Sequence, residues 1–420
     1  MRLLLVGAFA YPHHQGSQVY FQEQAIALRA AGVEVELLTY GRWDDAPPSD
    51  PERWRALDGF VHHTLPRKAR PRSMAAGPSL AKPRADLALR RALNDAIASK
   101  GHSIASFDVV LTHNVEACVI SSTSRVKGAG SRVPIIYCVH TLMRHELSAY
   151  LKSFKISDFE NDASATERSS SRVKECIDAF GSQVDRLAAR RSDGWIALTQ
   201  SAERVMRESS PRPGAIIAPP LPDPRHRFFD DLTDVEIPAA PFFLYSGNLD
   251  GYQELHLLEA ATTQLATRGV AAPRILVASF DEGVTDAARS WPRGMVARHV
   301  DSEAEMQALT RAARATIIPR RAVGGFPIKL ANSLALGTPA IAFYDREWGL
   351  EDGVEVRVAD ASRPAEGLAN AIAELASDED LAQEMGVNAR ARYEAAHLPA
   401  VTADQTLGLI EEVRTAARSD

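Results

Sequence analysis

Apolar residues come in short runs separated by amphipathic stretches along nearly the whole chain. Leu3–Phe9 predicts a buried strand, Gln18–Ala31 a helix ending at Gly32, and Val33–Tyr40 the next strand. The pattern resumes with strands at Val109–Thr112, Ile135–Val139 and Trp195–Leu198, and with helical stretches at Leu87–Ser99 and Val173–Ala189. Strands that alternate with helices predict a parallel, doubly wound sheet.

The texture then changes. IIAPPLPDPRHRFF, Ile216–Phe229, carries four prolines and few helix formers, and it reads as a domain linker. Alternation restarts at Phe242–Ser246 and continues through strands at Ile275–Ala278, Met295–Arg298, Ala315–Pro319 and Ala340–Phe343. Helical stretches follow at Glu366–Ala376, Leu381–Ala395 and Val401–Ala417. The expected organisation is an α/β domain over 1–220, a linker over 221–238, a second α/β domain over 239–395, and a C-terminal helix in 396–420 that packs back on the first domain. A chain of 420 residues suits two such cores better than one.

Composition narrows the class. Apolar residues make up 45% and charged residues 24%, as in a soluble globular protein. A net charge of −6 gives nucleic-acid binding no support. The first residues, MRLLLVGAFAYPHH, read as a first buried strand rather than a signal peptide, because no small-residue cleavage site follows. No apolar run approaches the roughly 20 residues of a membrane span. Cys118, Cys138 and Cys176 lack metal-ligand spacing; Cys118 and Cys138 sit in apolar, strand-like runs. They are expected to be reduced, in a cytoplasmic protein.

Ligands of parallel sheets bind beyond the carboxyl ends of strands, where loops enter helix N-termini. Four such places carry candidate chemistry. After the first strand, PHHQGSQ sets Gly16 and Ser17 where a helix begins, a position suited to a phosphate; the bland alternative is an ordinary turn. There is no GxGxxG, and the adjacent His13 and His14 point different ways, so neither a dinucleotide fingerprint nor a metal pair is expected. His140 follows the strand Ile135–Val139, and the HTLMRHE that begins with it is not a zinc pattern. In FFLYSGNLDGYQ, Gly247, Asn248 and Gly251 surround a strand-to-helix turn, with the helix expected from about Tyr252. Last comes PRRAVGGFPIKLANSLALGTPAIAF: Arg320 and Arg321 close a strand, Gly324 and Gly325 free the backbone, and Pro327 and Lys329 enter the first helical turn. From Gly325 to Phe343 the only charge is Lys329. A cation at a helix N-terminus is disfavoured unless something negative sits there, so an anion site is expected here; the bland alternative is that the arginines are surface charges and Lys329 is solvated.

Taken in order, these elements resemble the retaining glycosyltransferases of family four, with the GT-B fold of two Rossmann-like domains facing a cleft. The resemblance rests on PHHQGSQ, AIALRAAGVEVELLT, IALTQSA, PPLPD, LYSGNL and, most specifically, GFPIKLANSLALGTPAIAF, which is similar to the family's donor motif. It implies that a nucleotide-diphosphate sugar binds mainly to the second domain and an acceptor mainly to the first. It implies transfer with retention of configuration, no metal, and a leaving phosphate that takes the acceptor proton. His140 matches the histidine that contacts the donor sugar, and Gly16 the glycine near the diphosphate. Phe326, Pro327 and Ile328 fall within the donor motif.

The departures are specific. The family's two motif glutamates stand eight positions apart; here those positions are Gly324 and Asn332. The Arg and Lys usual after the second domain's first strand are replaced near Asn248 and Gln253. The expectation is relocation, with Lys329 and Arg320 or Arg321 balancing the leaving diphosphate. A non-catalytic partner subunit and a nucleotide-sugar epimerase of the same architecture are the alternatives.

Two further stretches bear on the acceptor, which is expected to be a glycan, a lipid-linked sugar or a small molecule. Thr64–Leu93 holds eight basic residues and one acid, which points either to peripheral contact with an anionic membrane at the cytoplasmic face or to a solvated basic surface. Ser153–Val173 is polar and reads as a mobile loop that orders over an acceptor.

Overall fold

The computed structural model describes residues 1–12, 15–42, 58–71, 82–98, 107–123, 133–147, 163–224, 235–239, 241–268, 273–321 and 324–419, with side chains excepted at 95–98, 163–174 and 419. His13 and His14 lie outside the described residues. The chain divides into two compact units. The first comprises Met1–Pro220, Val323–Phe326 and Pro399–Asp420, and the second Leu221–Ala322 and Pro327–Leu398.

The first unit is built on seven parallel strands: β1 (Arg2–Gly7), β2 (Glu34–Thr39), β3 (Val61–Thr64), β4 (Val109–His113), β5 (Ile135–Val139), β6 (Gly194–Ala197) and β7 (Gly214–Ile216). Their order is β3-β2-β1-β4-β5-β6-β7. Leu3, Leu4 and Leu5 of β1 are fully buried, as a central strand covered on both faces requires. Helices α1 (Gly16–Ala30), α2 (Lys82–Ala98), α3 (Val115–Thr123), α4 (Ala163–Arg191) and α5 (Gln200–Ser209) complete the alternation.

The second unit has six parallel strands: β8 (Phe242–Ser246), β9 (Arg274–Ser279), β10 (Met295–His299), β11 (Ala315–Ile317), β12 (Ala340–Ala342) and β13 (Val356–Val358), in the order β10-β9-β8-β11-β12-β13. Its helices are α6 (Leu255–Thr267), α7 (Val284–Ala287), α8 (Glu303–Ala312), α9 (Ile328–Leu336), α10 (Pro364–Ser377) and α11 (Glu379–Ala396). The last helix, α12 (Pro399–Ser419), returns to the first unit, where Arg414 pairs with Asp108 at 2.9 Å. Leu221 is held in the second unit by Tyr393, whose hydroxyl donates to the Leu221 carbonyl at 2.8 Å.

Both sheets are parallel, as the alternation predicts. Several boundaries differ, for local reasons. β1 stops at Gly7, where its ladder with β2 ends opposite Thr39. β11 stops at Ile317, before Pro319, which has no N–H to pair. The short edge strands β3 (VHHT), β7 (GAI) and β13 (VRV) lack an apolar run, so periodicity does not announce them. Cys118 lies on α3, not on a strand. The stretch read as a loop over Ser153–Val173 is helical from Ala163, where α4 begins; 153–162 lies outside the described residues. In the basic stretch, α2 starts at Lys82, five residues before the expected Leu87, and 72–81 lies outside the described residues. No described helix is long and apolar enough to cross a membrane.

Candidate active site

In the second unit β8 and β11 are neighbours, so the loops that leave their carboxyl ends lie side by side. The β8 loop opens at Gly247, whose φ of +139° only glycine adopts without strain. A Cβ there would sit 3.0 Å from the Lys329 amine, so the missing side chain makes room for that amine. Lys329 is the second residue of α9, and its amine donates to the Gln253 side-chain oxygen at 3.1 Å and lies 4.4 Å from the centre of the Tyr245 ring. The Gln253 amide nitrogen donates in turn to the Asn248 side-chain oxygen at 3.2 Å, and the Tyr245 hydroxyl donates to the Asn248 carbonyl at 2.6 Å. Asn248 and Gln253 therefore act as neutral struts that aim Lys329.

The electrostatics of this corner are unbalanced. Among the described residues Lys329 has no ion-pair partner, and burial followed by the neighbouring Arg320 pushes its amine down to about 7. Burial likewise lowers Arg320. A lysine amine with no counter-ion beside a second cation favours an anion there. The start of α9 adds to this: Pro327 is its N-cap, one residue ahead of the expected first-turn position, and no side chain caps the first N–H groups. Those donors and the helix dipole suit a phosphate.

Arg321 has a different place. Glu254 accepts from its backbone N–H at 2.6 Å and from its guanidinium at 2.6 and 3.2 Å, and this contact raises the guanidinium pKa. Tyr344 also donates to the Arg321 carbonyl. Glu254 pays for this grip with a left-handed backbone, φ 54° and ψ 39°, which is uncommon for a residue with a side chain. The pair ties the β8 loop to the β11 loop. Asn332 is half-buried on α9, and its amide has no hydrogen bond among the described residues. Ile328 and Pro327 sit at the helix start, half-buried and buried.

In the first unit His140 follows β5 and is 7% exposed. Its Nε2 lies 2.8 Å from Nδ1 of His113, at the end of β4, and its ring lies 4.9 Å from that of Tyr20. Burial pushes its pKa down to about 3, so it is neutral at physiological pH. Gly325 belongs to the same unit, with φ +36°, and a Cβ on it would fall 2.4 Å from the His140 carbonyl oxygen. A Cβ on Gly324 would meet only the Thr141 methyl, at 3.5 Å. Phe326 is buried beside them. Gly16 and Ser17 open α1, whose N-terminus also lacks a side-chain cap; Gly16 is exposed and Ser17 half-buried.

Lys329, Arg320, Gly247 and Asn248 thus converge in one unit, and His140, Gly324 and Gly325 in the other. The sequence reading missed Tyr245, Glu254 and Tyr344 as supports, and His113 and Tyr20 around the histidine. Strand alternation places Tyr245 in a core, but no sequence signal marks a left-handed glutamate.

Residues 15–221 match a family model described as a glycosyl transferase 4-like domain, and residues 256–408 match one described as glycosyl transferase-like. Among solved structures, the chain is similar to sucrose-phosphate synthase from Thermosynechococcus elongatus at 17% identity, with a TM-score of 0.69 and 99% of each chain covered. It is similar to HepE of Anabaena in complex with UDP at 13% identity and a TM-score of 0.62, over 98% of this chain and 100% of that one. The likeness to HepE in complex with UDP-glucose is 12% identity at a TM-score of 0.59, over 99% and 100%. No curated protein sequence matches the chain. Likeness at these identities establishes the fold, which is GT-B.

Proposed function

For a chain whose two halves carry glycosyltransferase domains, we propose transfer of a sugar from a nucleotide-diphosphate sugar, with the diphosphate held by Lys329 and Arg320. One observation carries this reading. The Lys329 amine is buried beside Arg320 with no ion-pair partner among the described residues, at the uncapped start of α9 and against the space left by Gly247. A bound diphosphate would complete that arrangement, supplying the counter-charge that Lys329 lacks, lying within reach of Arg320 and accepting from the N–H groups at the start of α9. These cations and the helix N-terminus then do the work that a metal ion does in other phosphate sites. Arg321, locked by Glu254, positions the β11 loop.

The same reading gives Asn332 the ribose hydroxyls and His140 a sugar hydroxyl. A neutral imidazole bonds a hydroxyl without serving as a proton reservoir at physiological pH. The transfer is proposed to retain configuration, with the leaving phosphate taking the acceptor proton. The acceptor is assigned to the first unit.

A thermal-shift panel of UDP, GDP, ADP and CDP tests the reading, because a ligand that binds only the folded state stabilises it by about 2.7 kcal/mol at a hundredfold excess over its Kd. UDP comes first, since HepE was solved with UDP and UDP-glucose. The panel is expected to single out one base, and the matching nucleotide sugar should then lose its sugar to an acceptor or to water. A non-catalytic subunit would bind without turnover, and an epimerase would return an isomerised nucleotide sugar.

The affinity should depend on pH in a stated direction. Free Lys329 titrates at about 7, and a bound diphosphate favours its charged form. Below pH 7 the amine is already protonated and affinity is flat with respect to this group. Above pH 7 binding takes up a proton, so affinity should fall by up to about tenfold per pH unit. The terminal phosphate, with a pKa of about 6, is fully charged over that range. Calorimetric titration from pH 7 to 9 in buffers of different ionisation enthalpy reads both the fall and the proton uptake.

A further inference from the structure

Beside His140 stands a second histidine. β4 and β5 are neighbours in the sheet, with His113 of β4 opposite Cys138 of β5, so His113 and His140 stand at adjacent strand ends. His113 is fully buried, and its Nδ1 lies 2.8 Å from Nε2 of His140. Two aromatic rings of α1 wall the pair in. The ring centres of Tyr20 and Phe21 lie 5.3 and 4.9 Å from that of His113, and Tyr20 also lies 4.9 Å from His140. The Tyr20 hydroxyl is taken up elsewhere, accepting from the Gln24 amide at 3.1 Å.

Burial drives His140 to the neutral form, and burial followed by the neighbouring His140 does the same to His113. A neutral imidazole carries one N–H and one bare nitrogen. A contact of 2.8 Å between two such rings is a hydrogen bond in which one nitrogen carries the proton and the other is bare. The bridge therefore fixes both tautomers together. If His113 donates from Nδ1, His140 is bare at Nε2 and protonated at Nδ1. If His140 donates from Nε2, its Nδ1 is bare. In either case Nε2 of His140 is spent on His113. Nδ1, which has no hydrogen bond among the described residues, is left for a ligand. No carboxylate bonds either ring among the described residues, so the bridge orients His140 without making it a stronger base.

We propose that His113 is a positioning residue: it holds the His140 ring in one tautomer and one orientation, with Nδ1 as the atom that meets the sugar hydroxyl. The inference rests on the glycosyl-transfer reading and supplies the group behind its histidine. A sugar hydroxyl already bonded elsewhere can use only one of the two forms. A histidine that exchanged between them would be competent for only part of the time.

The test combines a spectrum with kinetics. Long-range ¹H–¹⁵N correlation spectra of histidine-labelled protein at neutral pH read the tautomer of each ring, and His140→Gln identifies the His140 signals. Wild type is expected to show His140 in a single tautomer. His113→Phe, which keeps an aromatic ring against Tyr20 and Phe21, is expected to show a mixture of the two. In the same variant kcat/KM for the nucleotide sugar should fall by roughly five- to tenfold, the worth of one neutral hydrogen bond, while affinity for the nucleoside diphosphate stays within about twofold of wild type. His113→Asn, whose amide keeps a donor and an acceptor, should restore the single tautomer and most of the rate. A tautomer mixture in wild type, or a single tautomer that survives in His113→Phe, overturns the proposal. So does a loss of diphosphate affinity equal to the loss of kcat/KM, which marks a general loosening of the fold. Wild-type turnover keeps the two readings apart. With turnover present, a failed spectrum removes only this inference; if no nucleotide sugar turns over and no diphosphate binds, the functional reading falls and takes the role of His113 with it.

Discussion

Lys329→Ala is expected to lower turnover of the nucleotide sugar by a hundredfold or more and to shift Tm by only a few degrees. The size follows from the role. A buried donor aimed at developing negative charge is worth about 10²–10³ in rate when removed. A hundredfold corresponds to about 2.7 kcal/mol. The small stability change follows from the same burial. The amine is pushed down to about 7 because its surroundings disfavour its charge, so the folded protein gains little from it until an anion arrives. Its contacts in the free protein are one hydrogen bond to Gln253 and the face of Tyr245. Lys329→Met, which keeps most of the stem, should lose as much activity as the alanine variant, which separates lost charge from lost packing. Steady-state rates and thermal melts of both variants check this. Wild-type turnover in either variant contradicts the role assigned to Lys329.

Gly325→Ala is expected to cost about 1–3 kcal/mol of stability and at least tenfold in activity, whereas Gly324→Ala should be close to neutral in both. The two glycines are adjacent, and the difference between them is geometric. At Gly325 the backbone has φ +36°, and a Cβ would fall 2.4 Å from the His140 carbonyl oxygen, so either the chain or that carbonyl must move. At Gly324 a Cβ meets the Thr141 methyl at 3.5 Å, an ordinary contact. Moving the His140 carbonyl disturbs the histidine that the functional reading sets against the sugar. Denaturant melts and rates for the two variants check the pair. Equal behaviour of the two would mean that the approach to His140 is not constraining.

The contrast bears on how much of the molecule was legible beforehand. Gly324 is where the resemblance expects a glutamate, and a Cβ there would make only an ordinary contact with the Thr141 methyl, so the backbone itself does not demand glycine at that position. The strands β5 and β8 could be read to the residue, because a fully buried parallel strand writes itself as an apolar run. β3, β7 and β13 could not, since an edge strand of three or four residues needs no such run. In the site, the cation and the glycines were visible as motif residues. The struts were not. Gln253 bridges Asn248 and Lys329 across 76 residues of chain, and Glu254 reaches Arg321 across 67, contacts that depend on β8 and β11 being neighbours. Periodicity reports which face of an element is buried; it does not report which loop ends meet. Arg320 and Arg321 looked equivalent in sequence, and the structure separates them by neighbours: Arg321 is gripped by Glu254, and Arg320 stands beside Lys329.

The central claim is that Lys329 and Arg320 hold a diphosphate, and the most direct measurement compares a nucleoside diphosphate with its nucleoside. Titration calorimetry at pH 7 with UDP and uridine, or with the base that the thermal-shift panel selects, gives the contribution of the phosphates in wild type and in Lys329→Ala. The account predicts a wild-type preference for the diphosphate of at least a hundredfold, reduced to about tenfold or less in the variant. The same preference in both proteins would contradict it.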